Sequence, residues 1–174
     1  MWVFIYKFDE DGWLEKYKAR LVVRRDLYQN DQQETYAATL ATRVFRTLIV
    51  VVVHFDLDIF QLDAVNTFIN ALLDKVVHIK IPEGYSMPEH CFELKRTLYG
   101  LPRSPLLWFN ELSTVITELG LQPVPEYVYL FTNRKLIVFF YIDDICVLCH
   151  PSDHQAYEQF RIALIKKYEM REMG

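Results

Sequence analysis

Cysteine is scarce in this chain, and positive charge is not in excess. Three cysteines, Cys91, Cys146 and Cys149, stand among 174 residues, an odd number with no regular framework. That excludes a small disulfide-built secreted scaffold and points to reduced thiols inside a cell. Cys146 and Cys149 have the Cys-x-x-Cys spacing, but residues three apart in a strand face opposite sides. No second pair or histidine stands at zinc-ligand spacing, so both read as small buried hydrophobes. Lys and Arg number 19 against 23 Asp and Glu, a net charge of −4. That counts against a generic nucleic-acid binder, whose usual footprint is basic, unless acidic and basic residues are segregated. Long hydrophobic runs are missing too. The longest, Leu48 to Phe55 with His54 inside it, falls far short of the roughly 20 residues that span a bilayer, so no membrane partner is expected. No basic segment followed by an apolar one opens the chain, which excludes an evident signal peptide. Met1 leads straight into a strand pattern and the chain stops just after a helix pattern, so both ends are expected to be cut points.

What is present is apolar and aromatic. Hydrophobic residues make up 52% and aromatics 15%, enough for the core of one domain or a piece of a larger one, and too much for disorder. The most informative stretch runs from Leu136 to Cys149, where two apolar, β-branched and aromatic runs flank Asp143-Asp144. The runs read as buried strands. A straight strand would send one of two adjacent carboxylates into the core, which is very costly unpaired. A bend at Asp143-Asp144 avoids the cost and presents the pair at a hairpin tip. Rigid paired carboxylates there suit hard divalent cations; a plain polar turn is the alternative.

Elsewhere, Trp2 to Phe8 reads as a strand, Asp9 to Gly12 as a turn and Trp13 to Val23 as a returning strand. The return carries Lys16, Lys18, Arg20, Arg24 and Arg25, either a solvated face or a phosphate grip. The polar stretch 26–33 reads as a loop. Thr42 is expected to cap a helix reaching about Phe55, although Val50 to Val53 favours strand on propensity. Ile59, Phe60 and Leu62 form a core strand ending at Asp63, and Asn66 can cap a short helix. Val76 to Ile81 and Phe92 to Lys95 are strand patterns. Ser104 as N-cap and Pro105 as first helical residue open a helix with an apolar stripe of Leu106, Phe109, Leu112, Val115, Ile116 and Leu119. Tyr127 to Thr132 is a strand turned by Asn133-Arg134-Lys135. Ser152 with Gln155 makes a capping-box pattern for a last helix, striped by Tyr157, Phe160, Leu164, Ile165 and Tyr168. Lys166, Lys167 and Arg171 read as a solvated face.

Several of these stretches share one resemblance. Tyr141-Ile142-Asp143-Asp144 resembles the Tyr-x-Asp-Asp signature of reverse transcriptases. Tyr17-Lys18-Ala19-Arg20-Leu21-Val22-Val23-Arg24 is similar to the Tyr-Lys-Ala-Arg-Leu-Val-x-Arg segment of copia-type retrotransposon reverse transcriptases. Glu34-Thr35-Tyr36-Ala37, Pro82-Glu83-Gly84-Tyr85 and the end from Lys167 to Gly174 resemble further segments of that family. Gln61 to Asn70 is similar to its Gln-Leu/Met-Asp-x-x-x-Ala-Phe-Leu-Asn motif, and Leu98 to Trp108 to its Leu-Tyr-Gly-Leu-Lys/Arg-x-Ser-Pro-x-Leu-Trp motif. The chain departs from the family at Arg25, where glycine is usual, at Thr67, where alanine is usual, and at Pro102, where Lys or Arg is usual.

The resemblance implies an α+β fingers and palm arrangement over residues 1–174, with an antiparallel palm sheet backed by helices. The fingers hairpin would cover about 1–25 and palm elements about 43–68 and 121–174, with thumb and RNase H absent. It implies RNA-directed DNA polymerase activity by two-metal nucleotidyl transfer, with Asp63, Asp143 and Asp144 as the carboxylates of two Mg²⁺ ions (Mn²⁺ as the alternative). Asp63 and Asp143 would bind the ions and Asp144 support them. Lys18 and Arg20 would contact the triphosphate, Phe68 would exclude a 2′-hydroxyl, and Ala64, Tyr99, Gly100 and Tyr141 would line the nucleotide pocket. The implied partners are an RNA template, a DNA or RNA primer, dNTPs and the rest of the retroelement polyprotein, and the implied location is intracellular. Two alternatives stay open: a catalytically inactive remnant serving as a nucleic-acid-binding or interaction module, and an unrelated Mg²⁺ phosphohydrolase.

Overall fold

In the computed structural model, which describes residues 1–24, 42–85, 87 and 89–173, two antiparallel hairpins accompany a larger antiparallel sheet and three helices. In chain order the elements are β1 (Trp2–Phe8), β2 (Leu14–Leu21), α1 (Thr42–Phe55), β3 (Asp58–Ala64), a 3₁₀ turn (Thr67–Asn70), β4 (Leu72–Lys80), β5 (Cys91–Arg96), α2 (Ser104–Glu118), β6 (Gln122–Val124), β7 (Tyr127–Thr132), β8 (Leu136–Tyr141), β9 (Asp144–Cys149), a second 3₁₀ turn (Pro151–Asp153), α3 (His154–Lys167) and β10 (Met170–Glu172). This is the expected mixed class. Arg25, the stretch 26–33 and Glu34 to Ala37 lie outside the described residues. Among the described residues no helix is long and apolar enough to cross a membrane.

The large sheet has the order β10-β3-β9-β8-β7-β6, with every neighbouring pair antiparallel. Strand alternation sorts its two faces. Leu62 of β3, Val138 and Phe140 of β8, and Ile145 and Val147 of β9 pack with Leu112, Val115 and Ile116 of α2 and Tyr157, Phe160 and Leu164 of α3. Phe139 and Leu148, one residue out of phase, face the other way, where Leu48, Val44 and Val52 of α1 cover them. β8 is apolar on both faces because both are covered, so its sequence shows no polar alternation. Leu62, Val138, Ile145 and Val147 are fully enclosed, and each burial stabilises the fold by about 1.5–3 kcal/mol.

The β-branched run of α1 is helical after all. Val44, Leu48, Val51 and Val52 repeat as a helical stripe, and all four are wholly or partly buried; packing of that stripe outweighs strand propensity. Helix starts differ from expectation. Thr42 is the first residue of α1. Ser104 lies inside α2, preceded by Arg103 as N-cap, because its hydroxyl donates instead to the Leu98 carbonyl at 2.7 Å. Ser152 belongs to the 3₁₀ turn opened by Pro151, and its hydroxyl meets His150 Nδ1 at 2.8 Å, so α3 begins at His154. Asn66 stands at the N-cap of the first 3₁₀ turn with φ 53° and makes no side-chain cap bond. Ile165 is exposed rather than part of the α3 stripe. Cys146 and Cys149 do face opposite sides, one packing toward α1 and the other into the main core.

The β1–β2 hairpin is anchored where its ends meet the loop before α2 and the turn between β4 and β5. The Val23 amide donates to the Tyr99 carbonyl at 2.8 Å, and Trp2 Nε1 donates to the Glu83 carbonyl at 3.1 Å. Gly100 makes this approach possible. Its φ is +92°, and a Cβ there would overlap the Val23 carbonyl oxygen, so glycine is required for both backbone and space. Gly100→Ala is expected to destabilise the chain by about 1–3 kcal/mol and to loosen the hairpin. Urea unfolding and limited proteolysis within residues 1–24 would show it; an unchanged midpoint and cleavage pattern would contradict the anchoring role.

Candidate active site

Sheet register assembles the centre of the site. Asp63 ends the core run of β3 and lies opposite Asp144 of β9. Tyr141 of β8 lies opposite Asp144 from the other side, and Arg171 of β10 lies opposite Asp63. Directly paired residues in antiparallel strands share a face. The four therefore form one row across four strands, on the face turned away from α2 and α3. The expected carboxylate hairpin is present, but its two turn residues are Ile142 and Asp143, while Asp144 already begins β9.

The turn is strained and held. Ile142 has φ +58°, a left-handed conformation that costs a β-branched residue about 1–2 kcal/mol. Three contacts offset that cost. Trp108 Nε1 donates to the Ile142 carbonyl at 2.6 Å, the Ala64 amide donates to the Asp143 carbonyl at 2.9 Å, and the Ile142 side chain packs on the main core. Trp108 is itself buried and edge-on to Tyr168 at 5.3 Å. Asp144 is fixed separately, its Oδ1 accepting from Gln61 Nε2 at 2.9 Å.

Asp63 and Asp143 open on one cavity of about 370 Å³, together with Lys18, Arg20, Ala64 and Tyr99. Five cations line it (Lys7, Lys16, Lys18, Arg20 and Arg171) against three carboxylates, those of Glu15, Asp63 and Asp143. Burial pushes the Asp143 carboxyl above its ordinary range, the charges of Asp144 and Asp63 add to the rise, and a backbone hydrogen bond and Arg20 oppose it. Lys18 moves down through burial and the neighbouring Arg20, Lys7 and Lys16, with Asp63 opposing. Arg20 stacks over the Tyr99 ring at 5.1 Å, and Tyr99 meets Phe68 edge-on at 4.5 Å.

Other expected site residues lie outside that cavity. Asp144 and Tyr141 line an adjacent apolar cavity of about 420 Å³ between α1 and the sheet, with Phe45, Leu48, Gln61 and Cys146. Phe68 is buried beneath Tyr99, and Gly100 packs on the hairpin instead. Thr67 is fully buried with its hydroxyl donated to the Ala64 carbonyl at 2.9 Å, so its extra atoms point into the core. Beside Pro102, Arg103 pairs with Asp74 at 2.7 Å and is not among the residues that line the cavity. The sequence assigns no place in the site to Gln61, Asn66, Trp108 or Arg171. For Gln61 and Trp108 the motifs held the residues but not their bonds. Among the described residues no three His, Cys, Asp or Glu side chains gather into a set able to hold a metal by themselves. The carboxylates that the sheet itself brings to the cleft are those of Asp63 and Asp143, while Glu15 comes from the β1–β2 hairpin.

Two outcomes follow from this geometry. Trp108→Phe leaves the Ile142 carbonyl without its donor and a gap beside it, and is expected to cost about 1–3 kcal/mol in denaturant unfolding; no loss would show the turn to be self-supporting. The raised Asp143 means that its ionised form weighs against the fold. That group's contribution is fully present at acid pH, below the unfolded value, and is lost as pH rises through the folded value. Asp143→Asn removes the loss. At neutral pH the variant should melt roughly 1–3 °C above wild type, given about 2–4 °C per kcal/mol for a chain of this size and solvent screening of a half-open site. The gap should close toward acid pH, and a variant that melts lower at neutral pH would contradict the cost of holding Asp143 ionised in this site.

Comparison with known proteins places this geometry in a family. The family described as "Reverse transcriptase (RNA-dependent DNA polymerase)" matches residues 1–174. The chain is 30% identical over 155 residues to the retrovirus-related Pol polyprotein from transposon RE2 of Arabidopsis thaliana, covering 84% of this chain and 11% of that protein. It is 26% identical over 183 residues to the corresponding polyprotein from transposon TNT 1-94 of Nicotiana tabacum, covering 99% and 14%. A truncated transposon Ty1-A Gag-Pol polyprotein of Saccharomyces cerevisiae is 25% identical over 172 residues, covering 97% and 14%. The chain thus spans only about a tenth to a seventh of the length of these relatives. With the motifs in family order and a match along its whole length, the chain belongs to the copia-type reverse transcriptases.

Proposed function

We propose that this chain is the polymerase portion of a copia-type retroelement protein and carries out RNA-directed DNA synthesis. The observation that carries the reading is the meeting of Asp63 and Asp143, eighty positions apart in sequence, in one cleft ringed by cations. In this reading the six-stranded sheet is the palm, with α2 and α3 behind it, and the β1–β2 hairpin belongs to the fingers.

The donor set suits Mg²⁺, with Mn²⁺ as the alternative. Such an ion is commonly held by one or two carboxylates and completes its shell with substrate phosphates and water, which agrees with Asp63 and Asp143 on the sheet and with no closed protein cage among the described residues. When bound, two divalent ions supply charge neutralisation at both the attacking and the departing oxygens of nucleotidyl transfer. The residues do the rest. Asp63 and Asp143 offer their oxygens to the ions, and Asp144, held by Gln61, adds negative charge from the adjacent strand. Lys18 and Arg20 draw the triphosphate to the carboxylates, and Tyr99, braced by Phe68 and Arg20, forms a wall for the nucleotide. Template, primer and the remainder of the polyprotein are the partners, and an intracellular setting agrees with three unpaired thiols.

Primer extension on an RNA template with dNTPs and Mg²⁺ tests the reading. The wild-type chain should extend the primer, and Asp143→Asn should lose roughly 100-fold or more, the scale of removing one preorganised electrostatic contact. Equal extension by both would place the chemistry elsewhere. Silence of both, persisting when the chain is fused to the C-terminal region of a relative, would leave an inactive remnant.

A further inference from the structure

We propose that Arg171 is a phosphate contact on the β10 side of the cleft, opposite the cations of the β1–β2 hairpin; the inference rests on reading the cleft as a nucleoside triphosphate site.

Strand alternation separates the three residues of β10. Met170 packs on the core cluster, and Glu172 pairs with Arg161 of α3, so both neighbours of Arg171 are engaged on the helix side of the sheet. Arg171 between them is turned to the opposite face. There it is the direct cross-strand partner of Asp63, lines the same cavity as Asp63 and Asp143, and stays exposed. Among the described residues it makes no ion pair. Asp63 therefore stands between Asp144 on one side and a guanidinium on the other.

The placement gives Arg171 a task that the hairpin cations cannot perform. Lys16, Lys18 and Arg20 reach the cavity from β2, a ribbon joined to the rest through its ends. Arg171 comes from the sheet that carries the carboxylates. A linear polyphosphate held between the two groups is gripped from both sides, and a planar guanidinium can bind two phosphate oxygens at once. Anchored on the sheet, Arg171 keeps that grip in register with Asp63 even when the hairpin shifts.

The test is calorimetric titration of the chain with inorganic triphosphate in the presence of Mg²⁺ at fixed ionic strength. Arg171→Gln should weaken binding roughly 5–20-fold, and Arg171→Lys should recover part of the loss. Arg134→Gln, which removes the same charge from the distant β7–β8 turn, should bind like wild type. Melting temperatures matching wild type would exclude unfolding as the cause. Wild-type affinity in Arg171→Gln, an equal loss in Arg134→Gln, or no triphosphate binding by the wild-type chain would each overturn the assignment. Primer extension is scored separately: weakened binding in Arg171→Gln with no extension by any variant, even when fused to the C-terminal region of a relative, would keep the phosphate contact and remove the polymerase reading.

Discussion

The register of β3 against β9 is the constraint on which the site depends. Leu62 is fully enclosed between the sheet and its two backing helices, and Asp63 is the next residue. A one-residue slip of β3 would expose Leu62 and drive Asp63 into that core. Exposing the leucine costs about 1.5–3 kcal/mol, and burying an unpaired carboxylate costs more. The position of the carboxylate is therefore fixed mainly by an apolar neighbour that takes no part in chemistry. Apolar packing is non-directional, but strand alternation converts it into a decision about which side chain reaches the cleft.

The turn between β8 and β9 follows a different logic. Ile142 adopts a backbone conformation that glycine or asparagine would accept more readily, and the Asp143 carboxylate beside it is disfavoured by burial and then by like charge. Neither feature stabilises the fold. Both persist because contacts around them over-determine the turn, chiefly the indole of Trp108 below it and the amide of Ala64 beside it. Local strain sustained by surrounding structure is common where geometry serves function. Here it presents the Asp143 carboxylate to the cavity while its backbone is tied to β3, so the two carboxylates of the cleft are held through one hydrogen bond.

Much of this was legible in the sequence, and the exceptions have physical causes. The apolar runs on either side of Asp143 announced the hairpin, and the end of a core run announced Asp63, because strands covered on both faces leave unbroken apolar runs. The helix starts were misplaced at Ser104 and Ser152 because those hydroxyls found other partners, the Leu98 carbonyl and His150, and tertiary contacts override local capping rules. β6 and β10 are three residues each, too short for any period to register. That is also why Arg171 read as part of a solvated face: its place opposite Asp63 comes from strand pairing, which one sequence does not display. Asp144 was grouped with Asp143 by adjacency, whereas the structure divides them between turn and strand and between two cavities.

The acidic balance of the chain, an objection to a nucleic-acid enzyme at first sight, resolves through the same arrangement. Net charge describes the whole surface, while binding responds to the local field of a cleft. The β1–β2 hairpin separates its residues by alternation. Phe4, Tyr6 and Tyr17 lie on one face, largely exposed, and Lys7, Lys16, Lys18 and Arg20 lie on the other, toward the carboxylates. The result is two groups of like charge that face each other across the cavity. Asp143 is pushed up and Lys18 down, each first by burial and then by like charge within its own group. A ligand that satisfies both must bring positive charge to the carboxylates and negative charge to the cations at once. A triphosphate carrying divalent ions has that composition, and a simple anion or a bare cation does not.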